Sequence, residues 1–198
     1  MPGLEEFKSY IQGLWLLVRQ NPAGFRHLDL SERGSLRSFW AMGYAAPAIF
    51  LSWMWWRSAY LAAMPAEAKA GGLFFFRLAL IEAINWVVPL VLVGILAWLL
   101  GMGSKFSSVV VAINWLAVPL SYGYGALILL TMLMPGLSGL VALLWFMLLL
   151  LVITAYFRVL RMICDGHTLT AAAFTMLLLV PTILFSDMLE RFLSVSPG

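Results

Sequence analysis

Two stretches of this chain repeat one another inside long apolar runs. Ala83-Ile84-Asn85-Trp86 is followed by Pro89-Leu90, and Ala112-Ile113-Asn114-Trp115 by Pro119-Leu120. Each copy sets an amide, an indole N–H and a helix-breaking proline among residues that offer no hydrogen-bond partner. Where water is excluded, every such group must find a partner within the protein. The chain is 63% hydrophobic and 11% charged, with mean hydropathy +0.97. Soluble domains carry about 25% charged residues, so the composition is that of a membrane protein. The expected fold is an all-α bundle of five membrane spans, with the two polar, proline-bearing helices adjacent and antiparallel and both asparagines facing protein.

Taken in order, residues 1–35 form a cytoplasmic or interfacial segment and residues 36–198 the membrane domain. Leu4, Phe7, Ile11, Leu14 and Leu17 fall on one stripe of a helix ending near Gln20, with Glu5, Lys8, Ser9 and Gln12 off it. This amphipathic helix is expected to lie on lipid or on the other helices. Asn21-Pro22 stops it. Glu5 and Glu6 stand where a secretory leader would be basic, so no cleavable leader is expected. Asp29 with Glu32 suggests a capping box, and Ser35 is the candidate N-cap of the first span.

The spans are expected over Leu36 to Trp56, Leu73 to Leu100, Phe106 to Met134, Leu137 to Tyr156 and Thr168 to Phe185. Trp53, Trp55, Trp56 and Arg57 suit a membrane interface. Leu73 to Ile81 reads as an approach segment that puts Arg77 and Glu82 near the interface, where they can pair. With the N-terminus inside, inner segments hold eight Lys and Arg, and outer segments four. The bias places the N-terminus in the cytoplasm and the C-terminus outside, and the expected location is a bacterial inner membrane.

The candidate polar contacts within the membrane are Asn85, Asn114, Glu82, Arg77, Tyr122 and Tyr124. The asparagines serve either as glue between helices or as part of a solute path. Ser121-Tyr122-Gly123-Tyr124-Gly125 allows close helix approach. Cys164 and His167 have the C-x-x-H spacing of half a zinc site, but His27 is the only other histidine, and a structural site needs four ligands. Arg161 and Asp165 stand four residues apart, as an ion pair at a helix end would. Phosphate loops, H-E-x-x-H and G-x-S-x-G are absent. No catalytic role, cofactor, metal or nucleic-acid partner is expected.

Asn21-Pro22 with Phe25 ahead of the first span, five spans with a short C-terminal tail, Gly123-Tyr124 in the third span and Pro135 beyond it resemble the Yip1 family of five-span membrane proteins. The resemblance implies a non-enzymatic membrane scaffold or accessory protein acting through a protein partner or a second copy. The alternative is a small oligomeric transporter or channel with a polar path near Asn85 and Asn114.

Overall fold

The computed structural model describes residues 2–65 and 69–196, and every secondary-structure element among them is helical. Glu67 and Gly198, expected outside the membrane, lie beyond the described residues. The helices are α1 (Leu4–Val18), α2 (Glu32–Ser38), α3 (Trp40–Ala63), α4 (Gly72–Leu99), α5 (Phe106–Leu133), α6 (Ser138–Ile163) and α7 (Thr168–Phe192). A 3-10 segment, Pro22–His27, follows α1, and shorter ones join α4 to α5 and α5 to α6.

Four of these helices, α4 to α7, are long and apolar enough to cross a membrane. The chain thus has the build of a multi-pass membrane protein. Helix α3 is not among the four, because Trp40, Tyr44, Pro47, Ser52, Trp53, Trp55, Trp56, Arg57 and Tyr60 dilute its aliphatic content. The segment Leu73 to Ile81 is no separate approach: α4 is one helix of 28 residues.

Four helices end in the same way. The N–H two residues beyond the last turn reaches back six-to-one, and the residue before it takes a positive φ. Asn21 N–H bonds Leu16 O behind Gln20, Met102 N–H bonds Ala97 O behind Gly101, Gly166 N–H bonds Arg161 O behind Asp165, and Val195 N–H bonds Glu190 O behind Ser194. This closure satisfies carbonyls that the last turn leaves open. Asp165 thereby belongs to the turn; its carboxylate pairs with Lys105 at 3.0 Å instead of Arg161.

Residues 2–38 fold back on themselves before the bundle begins. A Cβ on Gly13 would stand 2.6 Å from His27 Cβ and 2.8 Å from Gly24 O, and one on Gly24 would meet Gly13 O. Only glycine at both positions lets α1 and the 3-10 segment touch backbone to backbone. The buried side of α1 is Tyr10, Gly13, Leu14 and Leu17, while Leu4 is exposed. The contact stripe is therefore turned from the one that starts at Leu4. Burial, with a 2.8 Å hydrogen bond to Glu6, holds the Tyr10 phenol well above its usual pKa.

Caps correct two sequence expectations. Ser31, not Asp29, is the N-cap of α2: its Oγ accepts from Gly34 N–H at 3.0 Å, and it donates to Asp29 Oδ1 at 2.7 Å. Ser35 caps nothing; it lies inside α2 and donates to Glu32 O. The short α2 occupies the residues expected to open the first span, so α3 starts at Trp40.

Helix α3 runs parallel to α5. Ser38 lies beside Asn114, Tyr44 O accepts from Tyr122 OH at 3.1 Å, and Ala48 and Leu51 meet the bare face of Gly125 at 3.5 and 3.6 Å. Helix α4 packs mainly along α7 and touches α5 over a shorter stretch. Helix α6 lies between α5 and α7 and exposes Leu143, Phe146, Met147, Leu150 and Leu151. At one rim a small cluster of Phe74, Leu78, Ile81 and Val195 takes in Trp53 and Trp56. There Trp56 donates to Val195 O at 2.9 Å and Arg57 to Ala70 O at 3.0 Å.

Candidate functional site

The two Asn-Trp copies are put to different uses. Asn114 is 1% exposed and bonded at both its oxygen and its nitrogen. Its Oδ1 accepts from the Trp86 indole at 2.9 Å, and its Nδ2 donates to Ser38 Oγ at 2.8 Å. Ser38, 0% exposed, donates on to Ser35 O at 2.6 Å. One asparagine thus joins α4, α5 and the N-terminal segment. Trp115, beside it, is 1% exposed and packs against Phe7, Tyr10 and Tyr44.

Asn85 does not meet Asn114. Its Nδ2 donates to Ser186 Oγ of α7 at 2.7 Å. Its Oδ1 is buried with no partner, the only such side-chain atom among the described residues. The expected exchange, in which each amide serves the carbonyl freed by the other copy's proline, does not occur. Asn114 Nδ2 is drawn to Ser38, and α4 leans toward α7, which carries Asn85 away from α5.

Between α4, α5, α6 and α7 lies a cavity of about 300 Å³. Its polar lining includes Glu82, Asn85, Ser121, Tyr124, Tyr156 and Thr182. Aliphatic side chains such as Leu90, Ile113, Leu149, Val152, Leu178 and Ile183 make the rest. Glu82 and Asn85, three residues apart, share one face of α4. Glu82 is half-buried and has no hydrogen bond or ion pair among the described residues. Its expected pairing with Arg77 fails for a geometric reason. Five residues turn a helix by about 500°, which sets the two side chains about 140° apart. Arg77 does not line the cavity.

The remaining candidates divide between cavity and packing. Tyr124 lines the cavity, with its ring centroid 5.4 Å from that of Trp145. Tyr122 faces outward and ties α5 to α3. Gly123 faces Leu148 of α6 at 3.3 Å, so the small residues of this stretch serve two different contacts. Sequence reading passed over Ser38, Tyr156, Thr182 and Ser186. Single hydroxyls near the ends of apolar runs are common, and nothing local marks the ones that meet a distant amide. Cys164 is buried, which pushes its thiol pKa up. Among the described residues no three His, Cys, Asp or Glu side chains gather as a metal site.

Comparison with protein-family models, with curated proteins and with solved structures found no match.

Proposed function

We propose that this is a five-span integral membrane protein that binds a small polar solute in the cavity between α4 and α7, as a carrier or channel subunit does. One observation carries the reading. Glu82, a carboxylate without a protein partner, lines a cavity in the middle of helices long enough to span a bilayer. Helix α4 is about 42 Å long, with Glu82 about 15 Å from its Gly72 end. A hydrocarbon core of about 30 Å centred on that helix takes in Glu82. Ionisable groups at such depth mark solute or ion pathways. The parallel course of α3 beside α5 supports counting α3 as the fifth span. With Lys8, Arg19, Arg26, Arg33 and Arg37 in the N-terminal segment and Arg158 and Arg161 at the end of α6, the N-terminus is cytoplasmic and the C-terminus outside, in a bacterial inner membrane.

Access to the cavity tests the reading. In a Cys164→Ser background, a cysteine at Ser121 or Thr182 should react with methyl methanethiosulfonate in lipid nanodiscs. A cysteine at Leu150, which faces lipid, should react far more slowly. Equal, negligible rates at all three positions mean the cavity is closed to solutes.

A second reading, the Yip1-like non-catalytic scaffold, is favoured by the N-terminal segment. Trp15, 59% exposed, closes an apolar groove with Phe7 and Ile11 of α1 and Val118 and Pro119 of α5. A partner helix or a second copy of the chain suits such a groove. Under this reading Trp15→Ala abolishes self-association in mild detergent, and the cavity variants leave it intact.

A further inference from the structure

The hydrogen-bond inventory of the cavity narrows what it can hold. Three of its N–H groups already have protein acceptors. The Trp86 indole goes to Asn114, the Asn114 amide to Ser38, and the Asn85 amide to Ser186. The hydroxyls of Ser121 and Thr182 donate to Ala117 O and Leu178 O of their own helices, each at 2.8 Å. Beyond the second N–H of each asparagine amide, what remains is acceptor capacity: the Glu82 carboxyl group and Asn85 Oδ1, one turn apart on the same face. An ionised carboxylate only accepts. Among the described residues no Lys, Arg or His lines the cavity to neutralise it. The Tyr124 and Tyr156 hydroxyls act either way, and the ring faces of Trp86, Tyr124 and Tyr156 attract cations.

We propose that the cavity takes a small organic cation, a primary or secondary ammonium with an apolar body. Glu82 is its counter-ion, Asn85 Oδ1 accepts one of its N–H groups, and the aliphatic walls of α6 and α7 hold the body. Burying an unpaired charge is costly, and a cation that brings its own donors removes that cost. The carrier reading above says that a solute enters; this inference, which rests on it, says which charge that solute carries.

The test uses three thiol reagents of similar size on the whole protein in nanodiscs, again with Cys164→Ser. Methyl methanethiosulfonate is neutral, the aminoethyl reagent is an ammonium, and the sulfonatoethyl reagent is an anion. Ser138→Cys, on the exposed start of α6, supplies the intrinsic ratio of the two charged reagents. At Ser121→Cys the ammonium-to-anion rate ratio should exceed that reference at least tenfold. Adding Glu82→Gln should return it to the reference. Thr182→Cys repeats the measurement should the first variant fold poorly. Labelling by the neutral reagent with a ratio equal to that at Ser138→Cys overturns the cation assignment and leaves the carrier reading standing. A preference that survives Glu82→Gln also overturns it. Failure of even the neutral reagent to react removes the carrier reading and the assignment with it.

Discussion

Residues 83–90 and 112–120 carry the same four-residue motif and a following proline, yet one is structural cement and the other borders a cavity. In the second copy both ends of the amide are bonded and the neighbouring indole is sealed among aromatic rings. In the first, half of the amide is unmet, and the indole reaches across to serve the other copy. The difference comes from the neighbours. Helix α5 sits at the centre, with α3, α6 and the N-terminal segment packed on it, so Asn114 is surrounded. Helix α4 packs mainly on α7, so Asn85 looks along an edge where Glu82 also lies. A repeated motif therefore predicts a repeated need for partners, and the rest of the fold decides whether that need is met.

The contrast can be broken at its largest component first. Trp115→Ala should cost about 3–5 kcal/mol of stability, as expected for a fully buried aromatic side chain. Trp86→Ala, at a half-buried position, should cost clearly less. Unfolding in a mixed detergent series measures both, and equal losses would erase the distinction between the copies.

The amides come next. Asn114→Leu strands the Trp86 indole N–H and removes the bond that Ser38 Oγ accepts, a loss of about 1–3 kcal/mol. Asn85→Leu loses the bond to Ser186 but also removes an oxygen that is already without a partner, and should cost less than Asn114→Leu. The same unfolding series reads the pair; a larger loss at Asn85 contradicts the comparison. A double-mutant cycle between Ser38→Ala and Asn114→Ala then isolates one bond of the hub. Interhelical hydrogen bonds in membranes give coupling of about 0.6–2 kcal/mol, and a coupling of zero means the Ser38 contact does not hold the N-terminal segment.

The smallest effect is one of pH, at the far end of the Asn114 network. The Ser31 hydroxyl bonded to Asp29 holds that carboxyl below its ordinary value of 3.8. A depressed folded pKa means the contribution is full above 3.8 and is lost as pH falls through the lower, folded value. Hydrogen exchange at the Gly34 amide, corrected for its intrinsic rate, should speed up in that acid range. Asp29→Asn should show no such step.

Much of this architecture was readable from residue types. Long apolar runs bounded by Gly101, Pro135-Gly136 and Gly166 mark α4 to α7, because turns need those residues and lipid-spanning helices need length. The start of α3 was misplaced, because α2 takes up Leu36 and Ser38 through a cap that depends on the Ser31 side chain. The site was half readable. Glu82, Asn85 and Tyr124 stand out as polar groups in apolar runs. Their partners do not, because Ser38 and Ser186 lie 76 and 101 residues away from the amides they meet. The mistaken Glu82–Arg77 pairing came from proximity in sequence without regard to helical phase.

The thermal midpoint of Glu82→Leu in ligand-free protein tests the central claim most directly. If Glu82 has no structural partner and is kept for a solute, removing it relieves an unpaired carboxylate in an apolar cavity, and the variant should melt higher than the parent. A lower midpoint for both Glu82→Leu and Glu82→Gln would show that the carboxylate holds the fold together, and would contradict the account of this cavity as a binding site.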